Sequence, residues 1–410
     1  MNTQVLSRAL TSRSETRRRP PLKRPPLSFK GAWHNVGFRS FLYQVLVIGA
    51  VILVVTYMIG NAQMAMEKRG ISTGFGFLTQ EAGFAIGESL IAYESENTYI
   101  RAYAVAILNT LKVSAVSIIG ATLLGVLIGI ARLSQNWVVS RLSSYYIELF
   151  RNTPQLVQIV FWYTLVTRLP HPKQAWNVAD AVFFSNRGMV TAWPAADDTY
   201  LWMLLTLMAA CSGTYGVVRW ADRYRRRTGR TVRILWWNLG LVVGLPGLVW
   251  LAGGAPTAMD VPKFQGFNFT GGLALSPEFL ALLLGLSLYI AAFIAEIVRA
   301  GVQAVSRGQI EAARAVGLGR ADLYMQVILP QALRIIIPPA TAQYVSLTKN
   351  SSLGVVIGYP ELFNVNNTIT TVSGNTIECI GIMMAVYLSI AFFIALVMNV
   401  YNRAVQIKER

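Results

Sequence analysis

Apolar runs of near-membrane-crossing length alternate along this chain with short polar and basic segments. A bilayer core takes about 20 apolar helical residues to cross. Runs of that kind fall at 41–59, 103–131, 147–169, 199–218, 234–252, 277–298, 335–347 and 377–401. Lys112 lies inside the second, and Pro338 and Pro339 interrupt the short seventh. The pattern predicts an all-α polytopic membrane protein with about eight transmembrane helices.

Composition agrees with the pattern. Of 410 residues, 54% are hydrophobic and only 13% charged, against about 25% charged in a soluble domain. A disordered chain is excluded, since that requires low hydrophobicity and high charge. The two cysteines, Cys211 and Cys379, give neither a disulfide framework nor a zinc spacing. His34 and His171 are far apart in the sequence, and no metal site is expected. The net charge of +17 reads as topology rather than nucleic-acid binding. Segments 1–40, 132–151, 219–233, 299–334 and 402–410 together hold 27 of the 36 Lys and Arg, but only 6 of the 19 acidic residues. Basic residues in short loops mark the cytoplasmic side, so eight spans with both termini in the cytoplasm fit the count.

The expected organisation follows. Residues 1–40 form a basic, proline-rich tail that is expected to be disordered, and 41–59 the first span. Residues 60–102 lie outside the cytoplasm and 103–169 hold two spans. Residues 170–276 carry two more spans around the arginine-rich loop 219–233. Residues 277–402 complete the bundle, and 403–410 are a cytoplasmic tail. The outer segments are rich in Gly, Pro, Asn and Asp, which predicts turns and short elements.

The cytoplasmic stretch 296–350 is the most informative. Ser306 and Gln309 stand in capping-box order, ahead of about two helical turns to Val316. Glu311 sits near the positive end of that helix, and Gly317 can take the left-handed conformation that ends it. A second short helix is expected over 321–328, with Pro330 stopping it or starting the next span. The result is a compact projection at about 306–330, suited to docking in a groove of another protein.

Glu311, Ala312, Ala313, Gly317, Val327, Leu329 and Pro330, at their spacing, resemble the signature of ABC-importer permeases, with Val327 where isoleucine is more usual. Further stretches, including YYIELFRNTPQLVQIVFWY at 145–163 and KNSSLGVVIGYPEL at 349–362, resemble the polar amino-acid permeases. The added tail and the 170–276 insertion make the architecture similar to a membrane subunit of the general L-amino-acid permeases of Gram-negative bacteria. The resemblance implies a five-helix permease core plus an extra helix pair and an amino-terminal helix. It implies an inner-membrane location and a coupling helix that includes Arg314 and seats in an ATPase dimer. It also implies a second homologous permease, a periplasmic amino-acid-binding protein and an L-amino acid substrate. No Gly-Lys dipeptide occurs, so a phosphate-binding Walker loop is absent. ATP and magnesium are expected on the partner ATPase, with no cofactor and no catalytic residue on this chain.

An amino acid needs acceptors for its ammonium and donors for its carboxylate. Ionisable groups within spans are costly and face cavities or partners; here they are Lys112, Glu148, Arg151, Glu296, Arg299 and Lys349. Glu148 with Arg151, and Glu296 with Arg299, have the spacing to pair along a helix. Pro154 breaks its helix beside Asn152 and Thr153, and Gln155 and Gln158 share a face beyond it. Lys349, Asn350, Ser351 and Ser352 follow the seventh span, which contains Gln343 and Tyr344. Glu148, Gln155, Gln158, Glu296, Gln343, Lys349, Asn350 and Ser351 are therefore the pathway candidates, with helix–helix contacts as the alternative role. A narrower acidic and amide substrate set is the alternative range. A secondary transporter would show interrupted spans repeated in two halves, and the sequence has no such repeat.

Overall fold

The computed structural model describes residues 36–68, 74–229, 232 and 234–405. Most of the amino-terminal tail and the last five residues lie outside the described residues, and so do the expectations placed on them. Two units separate by contact, 1–73 and 74–410.

The first unit holds α1 (Val36–Lys68). Its apolar side chains are exposed almost all round, as suits a helix whose surroundings are lipid. The second unit holds α2 (Tyr99–Arg132), α3 (Trp137–Asn152), α4 (Gln155–Thr167) and α5 (Asp198–Thr228). An apolar helix then runs through α6 (Ile234–Leu239), a π-helical turn at Gly240–Gly244 and α7 (Leu245–Ala252). There follow α8 (Pro277–Gln303), α9 (Arg307–Ala315), α10 (Arg320–Asp322), α11 (Leu329–Asn350), α12 (Leu362–Ser373) and α13 (Thr376–Val405). Among the described residues, five helices are long and apolar enough to cross a membrane, and α4 and α6–α7 are shorter apolar helices. The protein is thus a mainly helical membrane bundle.

The centre of the bundle is α8. It packs on α2, where Gly125 and Gly129 admit it. A Cβ on Gly125 would lie 2.6 Å from Ile294 Cβ, and one on Gly129 would lie 2.7 Å from the Ala295 carbonyl. Small residues four apart permit this approach between membrane helices. Val113, Ala121, Ile159, Leu282, Leu286, Ile290, Ile294 and Leu347 form the core around it. A second core joins Phe77 and Ala82 to Tyr99, Tyr103, Leu362, Val365 and Ile369.

Two expectations are corrected, on the seventh span and on the arginine-rich loop. The seventh span is not broken: α11 runs unbroken for 22 residues with Pro338 and Pro339 inside it. Each proline removes one ladder bond, but Ala332, Ile337, Ala340 and Leu347 are buried along its length and hold the turns in place. The break expected at Pro154 is present: the third span is two helices, α3 and α4, because the chain is extended at Thr153 ahead of Pro154. The arginine-rich loop is largely helix: α5 continues to Thr228 and ends on Gly229 at φ +70°. Arginine is a good helix former.

Residues 176–194 and 259–275 contain a small β layer within this helical protein. Strands β1 (Trp176–Val178), β2 (Val182–Ser185) and β3 (Gly188–Thr191) form a meander. Further on, β3 pairs with β8 (Leu273–Leu275), and β4 (Trp193–Pro194) with β5 (Met259–Asp260). Strands β6 (Lys263–Gln265) and β7 (Asn268–Thr270) make a hairpin. The β3–β8 pairing brings the end of the insertion back to its start, so α5–α7 can be added without parting α4 from α8. Gly188, at φ +103°, is required there: a Cβ would sit 2.0 Å from the Leu275 carbonyl.

Candidate functional site

The projection after α8 is built from its caps inward. Ser306 Oγ accepts from Gln309 N at 3.4 Å; among the described residues the return bond of a capping box does not form. Gly317, at φ +80°, ends α9, and Leu318 N reaches back to the Ala313 carbonyl at 3.2 Å. Ala313 is buried against Val305, Leu323, Ile328 and Ala332. A larger side chain there would lift the helix off its base. Glu311, Ala312 and Arg314 are exposed, and Val316, Tyr324 and Met325 are 77%, 57% and 67% exposed. A shallow, partly apolar face bearing Glu311 and Arg314 therefore stands on a packed foot. The second limb differs from expectation. From Arg320 the chain passes through a π-helical stretch, Leu323–Ile328, straight into α11, with Pro330 in the first turn. Pro330 leaves one bond of this continuous helical stretch unmade.

The Pro154 break forms a second polar centre. Gln158 Nε2 donates to the Phe150 and Thr153 carbonyls at 3.0 and 3.1 Å, so its amide nitrogen satisfies groups that the break releases. Gln155 Oε1 accepts from Asn350 Nδ2 at 2.6 Å, which joins the start of α4 to the end of α11. Ser351 is buried and donates to the Thr348 carbonyl at 2.7 Å. Lys349 is exposed, and Gln343 is half-buried on α11.

The expected charge pairs divide. Glu296 pairs with Arg299, whose Nε lies 3.0 Å from Glu296 Oε2. Glu148 and Arg151 do not pair: Glu148 is exposed, and the Arg151 guanidinium lies 5.1 Å from the centroid of the Phe293 ring. The aromatic face offers the cation a weaker partner that needs no desolvated carboxylate. Lys112 is held by Glu88 at 2.6 Å. Glu88 also accepts from Ser276, the N-cap of α8, at 2.6 Å, and its carbonyl accepts from Asn109 at 2.8 Å. Segment 74–98 is thereby fastened to α2 and α8. Sequence reasoning missed Glu88 because its partners lie far along the chain.

Glu361 was also missed. It lies in the segment joining the last two spans and caps α12, accepting from Phe363 N and Asn364 N at 2.8 Å each. Tyr387 donates to it at 2.9 Å. Burial pushes its carboxyl up to about 7, against the opposing effect of these hydrogen bonds.

The elements in hand are a buried central helix, a broken helix with polar groups at the break, and a projection bearing Glu311 on a packed foot. They make a membrane helix bundle with one exposed face on a packed foot. Residues 121–409 match the family model of the binding-protein-dependent transport system inner membrane component, and the chain belongs to that family. It is 46% identical over 380 residues to an Escherichia coli protein named for an amino-acid ABC transporter permease, YhdX, covering 92% of this chain and 96% of the relative. It is 42% identical over 384 residues to the general L-amino acid transport system permease protein AapQ of Rhizobium johnstonii, covering 93% and 96%. It is 37% identical over 410 residues to the glutamate/glutamine/aspartate/asparagine transport system permease protein BztB of Rhodobacter capsulatus, covering 92% and 96%. The chain is therefore a permease subunit of an ABC importer.

Proposed function

We propose that this permease moves L-amino acids inward across the inner membrane as part of an ATP-driven assembly. A periplasmic binding protein delivers the substrate. A homologous second permease completes the path. Two ATPase subunits, holding ATP and magnesium, drive the cycle through α9. The observation that carries the reading is the face of Glu311, Ala312 and Arg314, exposed on a helix whose Ala313 is locked into a small core. A rigid, preformed projection transmits a partner's movement with little loss to local bending. Both termini lie in the cytoplasm, the insertion 170–276 is an addition to the permease core, and the path is lined from Gln155, Gln158, Gln343, Lys349, Asn350 and Ser351, with Glu148 and Glu296 toward the inner side.

Glu311→Lys reverses the charge at that one position of the projecting face and leaves the packed foot untouched. It is expected to abolish co-purification of the ATPase and to reduce uptake at least tenfold, with unchanged membrane insertion. Uptake and ATPase binding at parental levels would remove the coupling role. The similarity to the glutamate/glutamine/aspartate/asparagine permease favours a second, narrower range; competition of uptake by all common L-amino acids separates the two.

A further inference from the structure

Residues 81–98, ahead of α2, form a loop closed at its neck. Glu81 and Thr98 pair in an antiparallel bridge, Ala82 N donates to the Asn97 carbonyl at 2.8 Å, and Gly83 N donates to the Ser95 carbonyl at 2.9 Å. Ala82 packs in the core with Tyr99, Tyr103 and Leu362, and Phe84, Ile86 and Tyr93 lean on it, so the neck is fixed. The tip, residues 87–91, has no helix or strand, and none of its residues is buried. A segment with so few packed contacts opens locally at small cost. Glu88 holds it down. Its Oε1 pairs with Lys112 Nζ at 2.6 Å, and its Oε2 accepts from Ser276 Oγ at 2.6 Å. Asn109 Nδ2 donates to the Glu88 carbonyl at 2.8 Å and to the Pro360 carbonyl at 3.0 Å. Lys112 Nζ also lies 4.5 Å from the centroid of the buried Phe279 ring. One residue thus ties the tip to α2, to the N-cap of α8 and, through Asn109, to the segment between α11 and α12. That segment begins at Ser351, a pathway candidate.

We propose that the tip 87–91 is a latch at the outer end of the permease. Glu88 holds the shut state on Lys112 and Ser276, and it leaves both partners when the path opens outward. The chemistry of the contact suits a latch better than a permanent brace. Desolvation of the two charges offsets much of their attraction, and both regain water when they part. An apolar tip would instead have to expose its surface on every opening. The elements that meet at Glu88 are the outer ends of α2 and α8 and the 351–361 segment, which cannot separate while all three of its contacts stand. Glu88 and Lys112 both precede residues 121–409, the stretch that matches the family model, so that match does not cover the latch. This inference rests on the import reading above.

The test uses the whole assembly in proteoliposomes with labelled L-leucine and L-glutamate. Glu88→Cys and Lys112→Cys are combined in a background without Cys211 and Cys379 and joined by a short bis-methanethiosulfonate. Cross-linking is expected to slow import of both substrates at least tenfold, and reduction to restore it, while each single-cysteine variant keeps its rate under the same reagent. Unchanged import after cross-linking, or equal slowing of a single-cysteine variant, would overturn the latch. A parent assembly that imports neither substrate would instead remove the import reading. ATP hydrolysis gives a second readout that a purely structural contact would not move. Glu88→Gln combined with Lys112→Gln removes both charges and leaves neither one unpaired. Releasing the shut state shifts the population toward outward opening, so this variant is expected to raise hydrolysis in the absence of the binding protein severalfold. A parental basal rate in a correctly inserted, ATPase-bound variant would also overturn the proposal.

Discussion

Glu361 shows how one residue can serve two elements. Its carboxyl caps α12 and accepts from Tyr387 on α13. Its folded value of about 7 lies above the ordinary carboxylate value because of burial. Folding thus favours its protonated form. The contribution is fully present below the unfolded value, near 4.3, and is lost as pH rises through about 7. The detergent-solubilised protein should lose thermal stability between pH 5 and 8, and Glu361→Gln should flatten that slope; a thermal-shift series across pH checks it. Sequence did not single out Glu361, because its partner Tyr387 lies 26 residues on and only the fold brings the two together.

At the scale of elements, the contact of α2 with α8 is set by glycines that leave no room. A side chain at Gly125 must displace Ile294 Cβ, 2.6 Å away, or the Ala291 carbonyl, 2.9 Å away. Overpacking of this kind costs about 1–3 kcal/mol. Gly125→Val is therefore expected to lower the melting temperature by several degrees and to reduce the folded yield, while Gly216→Val, which meets nothing within 4 Å, should leave the packing unchanged. Parallel thermal-shift measurements of the two variants decide this. The apolar runs predicted the long helices well, since period and length are local properties. Helix ends were less legible. The runs of α3 and α5 extend beyond their apolar windows because Asn136 caps α3 through Val138 N and Val139 N and arginines prolong α5.

For the whole molecule, the asymmetry of basic residues is the topological signal. Single cysteines in a background without Cys211 and Cys379 are expected to react with an impermeant thiol reagent from the cytoplasmic side at Glu311→Cys, and from the outer side at Phe267→Cys. Phe267 is 88% exposed at the turn between β6 and β7. Reaction of Glu311→Cys from the outer side would invert the topology and end the coupling role. The insertion is the part of the architecture that sequence described least well. Its strands are two to four residues long, too short for an alternating pattern to stand out, and two of their pairings, β3 with β8 and β4 with β5, join segments separated by α5–α7.

The sequence alone determined the membrane class, the long helices, the break at Pro154 and the projection bearing Glu311. Each rests on neighbours in the chain: an apolar run, a proline, a cap, a glycine. Tertiary structure alone decided that Lys112 pairs with Glu88, that Gln155 meets Asn350, that Arg151 turns to Phe293, and that α11 continues through its two prolines. Those outcomes depend on which distant groups packing brings within a few ångströms, and on burial that makes an unpaired charge or amide costly.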